Sequence, residues 1–285
     1  MEIRNILWLT DFNPLSNYAF EWAKFFSISF KTKLYAVHVI PEKKISILEE
    51  KEEILNMFNL MEREERKKAE KDFESKKKEI DKKIEFETHL LKGEIVEEII
   101  KFINEKDIDL LIMGASNKRE KLMIGTTAYR ILTNARIPVL VVKEKIGVKV
   151  NKILVPIDFS KLSFKALDYA IFLAEIFGSE IHLLHVIEIL ESIGLKEVEE
   201  KLIEETKEML HRESEKFKGK YRIFVNAIKR DSAEIGIIEF AEEKGIDLIC
   251  MATRGRKGIS HFFLGSTLDK VLKLTDIPIL AFNPV

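Results

Sequence analysis

The sequence predicts an α/β protein built of two tandem domains, each a five-stranded, doubly wound parallel sheet. Three observations carry that expectation. Apolar runs of strand length alternate with longer segments of helical period. The strand candidates are apolar throughout instead of alternating, as strands buried on both faces are. The whole order then occurs twice, at a period of about 140 residues, which marks a duplicated domain and is too long for a solenoid repeat.

A strand over 3–10 ends at Asp11, and a helix over 16–29 buries Ala19, Ala23 and Phe26 at helical spacing. A strand over 34–40 stops at Pro41, and a long charged segment over 47–80 follows. That segment pairs opposite charges four residues apart (Glu62 with Arg66, Glu64 with Lys68, Asp72 with Lys76, Glu74 with Lys78, Glu79 with Lys83). Its narrow apolar stripe of Ile54, Phe58, Met61, Ala69, Phe73 and Ile80 fits a solvated helix packed along one edge, or a docking surface for a partner helix. A strand over 84–91 precedes a helix over 95–106 that turns Ile95, Ile99 and Phe102 inward. A strand over 110–113, a loop to Gly125, a short helix over 128–134 and a strand over 138–142 complete the first unit.

The second unit answers the first motif by motif. Ile153-Leu154-Val155-Pro156-Ile157-Asp158 matches Ile6-Leu7-Trp8-Leu9-Thr10-Asp11, and Leu184-His185-Val186-Ile187 matches Val37-His38-Val39-Ile40. Ile246-Asp247-Leu248-Ile249 matches Ile108-Asp109-Leu110-Leu111, and Ile277-Pro278-Ile279-Leu280 matches Ile137-Pro138-Val139-Leu140. The expected domains are 1–143 and 150–285, with a short polar link containing Gly147.

Composition narrows the function classes. The 47 basic and 48 acidic residues cancel to a formal charge of -1, which gives no long-range pull toward nucleic acid or an anionic membrane. Cys250 is the single cysteine, so a disulfide within the chain and a cysteine-cluster metal site are both excluded; lying in an apolar run, it reads as a buried structural thiol. The N-terminus lacks the basic head of a secretory signal, and no apolar stretch approaches the roughly 20 residues that span a bilayer, so the expected location is the cytoplasm.

Ligands of doubly wound sheets bind beyond the carboxyl ends of the strands, near a topological switch point. In the second unit Pro156, Asp158, Val186 and the loop from Ala252 fall at such ends. Asp158 can accept a hydrogen bond from the amine of adenine, or can cap the helix that follows. Backbone groups at Val186 can read the ring edge. The loop Ala252 to Gly255 can pass close to ribose and phosphates, and Gly265, Ser266 and Thr267 can offer amides and hydroxyls at a helix start, with Ser266 as its cap. Arg254, Arg256 and Lys257 can steer phosphates or be exposed loop cations. His38 and His185 read as satisfied structural histidines.

With these residues in place, the chain resembles the universal stress protein family in its tandem two-domain form. The family's nucleotide signature, G-x2-G-x9-G-[ST], is met as Ala252-x2-Gly255-x9-Gly265-Ser266, with alanine for the first glycine. The resemblance implies Rossmann-like domains of the adenine nucleotide alpha hydrolase type, ATP or AMP as ligand, Mg²⁺ arriving with the triphosphate, and pairing of the two halves through their last strands, 138–142 and 278–282. It also implies a regulatory protein partner, and a homodimer is allowed. The first unit reads Gly114-x2-Asn117-x7-Gly125-Thr126, shorter by two residues, with Asn117 as a partial substitute for glycine and Asp11 and Val39 retained. It is therefore expected to be a weaker second site.

Neither a P-loop pattern nor a dinucleotide fingerprint occurs. No general base stands near the phosphate loop and no carboxylate or histidine cluster implies metal-assisted hydrolysis. The expected activity is nucleotide binding with at most slow hydrolysis; a nucleotide-free interaction module is the alternative.

Overall fold

The computed structural model describes residues 1–42, 52–115, 117–118, 123–143, 147–188, 196–253 and 264–283, with only the backbone of 52–55, 117–118 and 123–124. Contacts within the chain divide it into two compact units, Glu2–Ala115 and Ser116–Val285.

The first unit contains β1 (Asn5–Leu9), α1 (Pro14–Phe30), β2 (Lys33–Pro41), α2 (Glu52–Glu79), β3 (Phe86–Gly93), α3 (Ile95–Glu105) and β4 (Leu110–Gly114). Its strands run parallel in the order β4-β1-β2-β3, so the chain reverses its direction of travel across the sheet between β1 and β4. The central strands are buried along their middles: Ile6, Leu7 and Trp8 of β1 are wholly enclosed. β3 is the edge, and its residues are mostly half-exposed, which corrects the expectation that every strand is covered on both faces. α1 starts two residues earlier than its apolar spacing implies. Asn13 caps it by accepting the Ser16 N–H at 2.8 Å, and Pro14 occupies a first-turn position where no N–H is required.

α2 shows where local pattern gives way to tertiary contact. Ala69 and Phe73 are buried, with Phe73 edge-on to Phe12 at 5.0 Å, while Met57, Leu60 and Met61 are exposed. Lys76 turns forward to Glu79 at 3.0 Å and lies over the Phe20 ring, and Glu62 reaches Lys92 of β3 at 2.8 Å. Glu62 thus takes its hydrogen-bonded partner from another element, and Lys76 takes one three residues on in its own helix.

The second unit contains β5 (Asn117–Lys118), β6 (Met123–Ile124), α4 (Thr126–Asn134), β7 (Val139–Val142), β8 (Lys152–Pro156), α5 (Lys161–Phe177), β9 (Glu180–Glu188), α6 (Lys196–Ser214), β10 (Ile223–Arg230), α7 (Ala233–Lys244), β11 (Leu248–Ala252), α8 (Ser266–Leu274) and β12 (Ile279–Phe282), with one 3-10 turn at Glu215–Phe217. Its strand order is β10-β9-β8-β11-β12-β7. All neighbours are parallel except β12 and β7, which pair antiparallel with Leu280 opposite Leu140. The last strands of the two repeats thus do pair. β5 and β6 form a two-residue antiparallel ladder that was not expected.

At the amino ends of the strands, one device is used twice. Asp109 Oδ2 accepts the N–H groups of Arg4 and Asn5 at 2.8 and 2.9 Å, and Asp247 Oδ2 accepts those of Asn151 and Lys152 at 2.9 and 3.1 Å. The repeated Ile-Asp-Leu motif therefore clamps the entry of each repeat's first strand.

Lys143 is buried, and its ammonium donates to the Thr275 carbonyl at 2.6 Å, at the C-terminal end of α8. Burial pulls its pKa down to about 8 from the usual 10.5, opposed by the charge of Asp276. A lysine whose folded pKa is depressed leaves the unfolded chain binding more protons between pH 8 and 10.5, so stability rises with pH across that window, by about 3 kcal/mol when fully developed. Denaturant unfolding at pH 7, 8, 9 and 10 checks this. Lys143→Met is expected to flatten that rise, and a parallel rise in both proteins refutes the assignment.

Among the described residues no helix is long and apolar enough to cross a membrane. Cys250 is buried, and desolvation pushes its thiol well above the ordinary range, as expected of a structural cysteine.

Candidate functional site

In the second unit the strand order switches between β8 and β11, and the carboxyl ends of these two strands carry the expected residues. Pro156 is the last residue of β8, Ala252 the last of β11, and both are half-buried. Beyond Pro156 the chain passes Ile157 and Asp158 and turns at Phe159, which has φ +60 despite its side chain. Asp158 Oδ1 accepts the Ser160 N–H at 3.0 Å, an Asx turn, and Ser160 Oγ accepts the Ser163 N–H at 3.1 Å as the cap of α5. The capping role considered for Asp158 thus belongs to Ser160.

Val186 lies two residues before the end of β9. Its side chain is buried under α7, where a Cβ on Gly236 would come within 2.7 Å of Val186 Cγ1. Only glycine lets α7 approach so closely, and the contact pins the backbone of Val186 at the sheet's carboxyl edge. Beside it, His185 Nδ1 lies 2.6 Å from the Ile157 carbonyl oxygen and its ring sits 4.8 Å from that of Phe159. A carbonyl only accepts, so Nδ1 carries the hydrogen.

The loop after β11 leaves through Thr253, whose N–H donates to the Phe282 carbonyl at 2.8 Å, and returns at Gly265, whose N–H donates to the Thr253 carbonyl at 2.7 Å. Arg254, Gly255, Arg256 and Lys257 lie outside the described residues. α8 opens with Gly265 as its cap position, at φ -60 and ψ 138, and among the described residues no side chain caps its first amides. This corrects the reading of Ser266 as the cap: it is the first helical residue. The contrast with α1, α3 and α5 is physical. Those helices are closed by Asn13, Glu94 and Ser160, whereas α8 and α4 start on glycine with their leading N–H groups left without a side-chain cap. Ser266 is exposed and Thr267 half-buried at the start of α8.

The first-repeat residues divide between the two units. Asp11, Val39 and Gly114 lie in Glu2–Ala115; Asn117, Gly125 and Thr126 lie in Ser116–Val285. Asp11 accepts from Asn13 with both oxygens, from N–H at 3.1 Å and from Nδ2 at 2.7 Å. Val39 is buried in β2. Gly114 has a packing duty: a Cβ there would lie 2.5 Å from the backbone carbon of Leu15, in the first turn of α1. Asn117 of β5 pairs with Ile124 of β6, so it is extended. Gly125 opens α4 as Gly265 opens α8.

Two contributions escaped the sequence reading. The hydrogen bonds of His38 and His185 were hidden because a strand-end histidine does not announce its acceptor; the same Leu/Val-His-Val at the same offset in both repeats was the available signal. The clamps of Asp109 and Asp247 were visible only as a repeated motif.

The universal stress protein family model matches this chain twice, over residues 2–143 and 149–283. A universal stress protein of Methanocaldococcus jannaschii is 31% identical over 137 residues, spanning 46% of this chain and 80% of that protein. One from Bacillus subtilis is 34% identical over 150 residues, spanning 46% of this chain and 97% of that protein. The crystal structure of a universal stress protein from Archaeoglobus fulgidus superposes with a TM-score of 0.74 at 23% identity, covering 99% of this chain and 97% of that one, a likeness of fold. Matched by the family model in both repeats, the chain belongs to the universal stress protein family.

Proposed function

We propose that this chain is an adenine-nucleotide-binding regulatory protein of the stress response, acting in the cytoplasm, with ATP or AMP held mainly by its C-terminal repeat. The observation that carries the reading is the start of α8. Its leading amides have no side-chain cap, it begins where the loop is clasped between Gly265 and Thr253, and it follows β11, the strand next to β8 at the switch point. Uncapped helix amides and the positive end of the helix dipole are a natural seat for phosphate. Asp158 and the Val186 backbone, at the ends of β8 and β9, are placed for the base. Ala252, Gly255 and Arg254 complete the proposed loop.

Mg²⁺ belongs with a bound triphosphate and is held mainly by it, since that ion keeps much of its water. The proposed domains are 1–143 and 150–285. Partner proteins, and a second copy of the chain, would respond to the liganded state.

The departures in the first repeat favour unequal sites. Its loop is two residues shorter, Asn117 is extended, and Gly114 is committed to α1. Calorimetric titration with ATP and with AMP is expected to give one strong site per chain and a second that is weak or silent. Two equal sites overturn the asymmetry. The absence of heat and of any thermal shift with either nucleotide favours the nucleotide-free interaction module instead.

A further inference from the structure

Among the described residues, no backbone hydrogen bond from the Val186 amide to the Ile157 carbonyl continues the β8–β9 ladder. Residues of a parallel strand alternate in the neighbour that their backbone groups face. On β9, Ile181 donates to Arg222 beside β10 at 2.8 Å, whereas Glu180 donates to Asn151 at 2.7 Å and Leu184 accepts from Ile157 at 2.8 Å on the β8 side. Val186 is the next residue on that β8 side, and its regular acceptor is the Ile157 carbonyl. The β8–β9 pairing nevertheless stops at Pro156 opposite Leu184. The Ile157 carbonyl is occupied by the Nδ1–H of His185 at 2.6 Å. The ring that makes this bond lies against Phe159, the residue at φ +60 that swings the chain off the strand direction.

The arrangement occurs a second time. Thr10 donates to Val37 at 3.0 Å, the β1–β2 pairing stops at Leu9 opposite Val37, and the Thr10 carbonyl faces His38 Nδ1 at 2.9 Å. Phe12 sits beside that ring at 5.3 Å, again at φ +60. The residue left one step beyond is Val39.

We infer that His185 is a positioning residue whose imidazole takes the Ile157 carbonyl in place of the Val186 amide, and so keeps the Val186 N–H available to a ligand at the sheet's carboxyl edge. This rests on the nucleotide reading for the identity of the ligand: a strand N–H and C=O on one edge complement the ring nitrogen and the exocyclic amine of adenine. The device itself is a property of the nucleotide-free chain. Two features make it effective. The Ile157 carbonyl already has a donor in His185, which weakens its pull on a second one, and the Val186 side chain packs closely against Gly236 of α7, which holds this part of β9 in place.

Amide hydrogen exchange on the full chain, with AMP as the probe, tests it. In the nucleotide-free wild type, Val186 is expected to exchange on the order of 100-fold faster than Leu184, two residues earlier on the same edge. His185→Leu releases the Ile157 carbonyl, so the Val186 amide is expected to become protected without ligand and AMP affinity to fall about tenfold or more. His185→Asn, whose carboxamide N–H can reach the same carbonyl, is expected to restore both open exchange and affinity. A Val186 amide already protected in the nucleotide-free wild type overturns the inference. So does a His185→Leu protein unchanged in both exchange and affinity. Should His185→Leu fail to fold, the wild-type exchange pattern and the His185→Asn protein decide. If the exchange pattern appears as expected but AMP does not bind the wild type, the positioning role stands and the nucleotide reading falls.

Discussion

Ser266→Asp is expected to make the nucleotide-free protein slightly more stable while lowering its affinity for ATP or AMP on the order of 100-fold. The opposing signs come from one cause. Ser266 is the first residue of α8 and is exposed, with no side chain capping the amides beside it. A carboxylate at a helix start is favoured by the dipole and by those amides, by about 0.3–1 kcal/mol. The same carboxylate then occupies the proposed phosphate seat and repels phosphate charge by an amount that runs from about 1 kcal/mol in water to about 4 near a protein surface, roughly five-fold to a thousand-fold in affinity. Thermal unfolding without ligand and calorimetric titration with nucleotide measure the two halves. The equivalent Thr126→Asp at the start of α4 is expected to leave the strong site alone. An unchanged dissociation constant in Ser266→Asp removes α8 from the site, whatever happens to stability.

The second large effect is structural. Gly114→Ala is expected to destabilise the protein by about 4 kcal/mol or more, at the top of the range for single substitutions. The added methyl would stand 2.5 Å from the Leu15 carbon and 2.6 Å from both the Leu15 oxygen and the Ser16 nitrogen. These are backbone atoms in the capped first turn of α1, so no side-chain rotation relieves the overlap; either the helix start or the end of β4 must move. The matching position in the other repeat is already alanine, and Ala252→Gly should cost no more than about 1 kcal/mol through added chain freedom. Denaturant unfolding of both variants decides the matter. A Gly114→Ala protein as stable as the wild type means that α1 is not seated on β4 as described.

Gly114 also shows why the site was only partly legible. In the sequence it looks like the first glycine of a phosphate loop, and Ala252 looks like a defect. In the structure Gly114 answers to the closeness of α1, and Ala252 marks a repeat in which that constraint is relaxed. A spacing pattern records which residues stand at the loop; it does not record which neighbour forced the choice. The same limit applies to Ser266, read as a cap from its residue type, although the cap position falls one residue earlier on Gly265.

The amino-acid sequence alone determined the α/β class, the duplication, most strand and helix positions and the family. These follow from hydrophobic period and motif spacing, which are local or repeated quantities written along the chain. Only the tertiary structure decided which distant partner each polar group met: Lys92 for Glu62, the entry of β8 for Asp247, and the Ile157 carbonyl for His185. The reason is physical. Hydrogen bonds and ion pairs form with whatever the fold brings within about 3 Å, and residues far apart in the chain meet there only after strand order and helix packing have been settled.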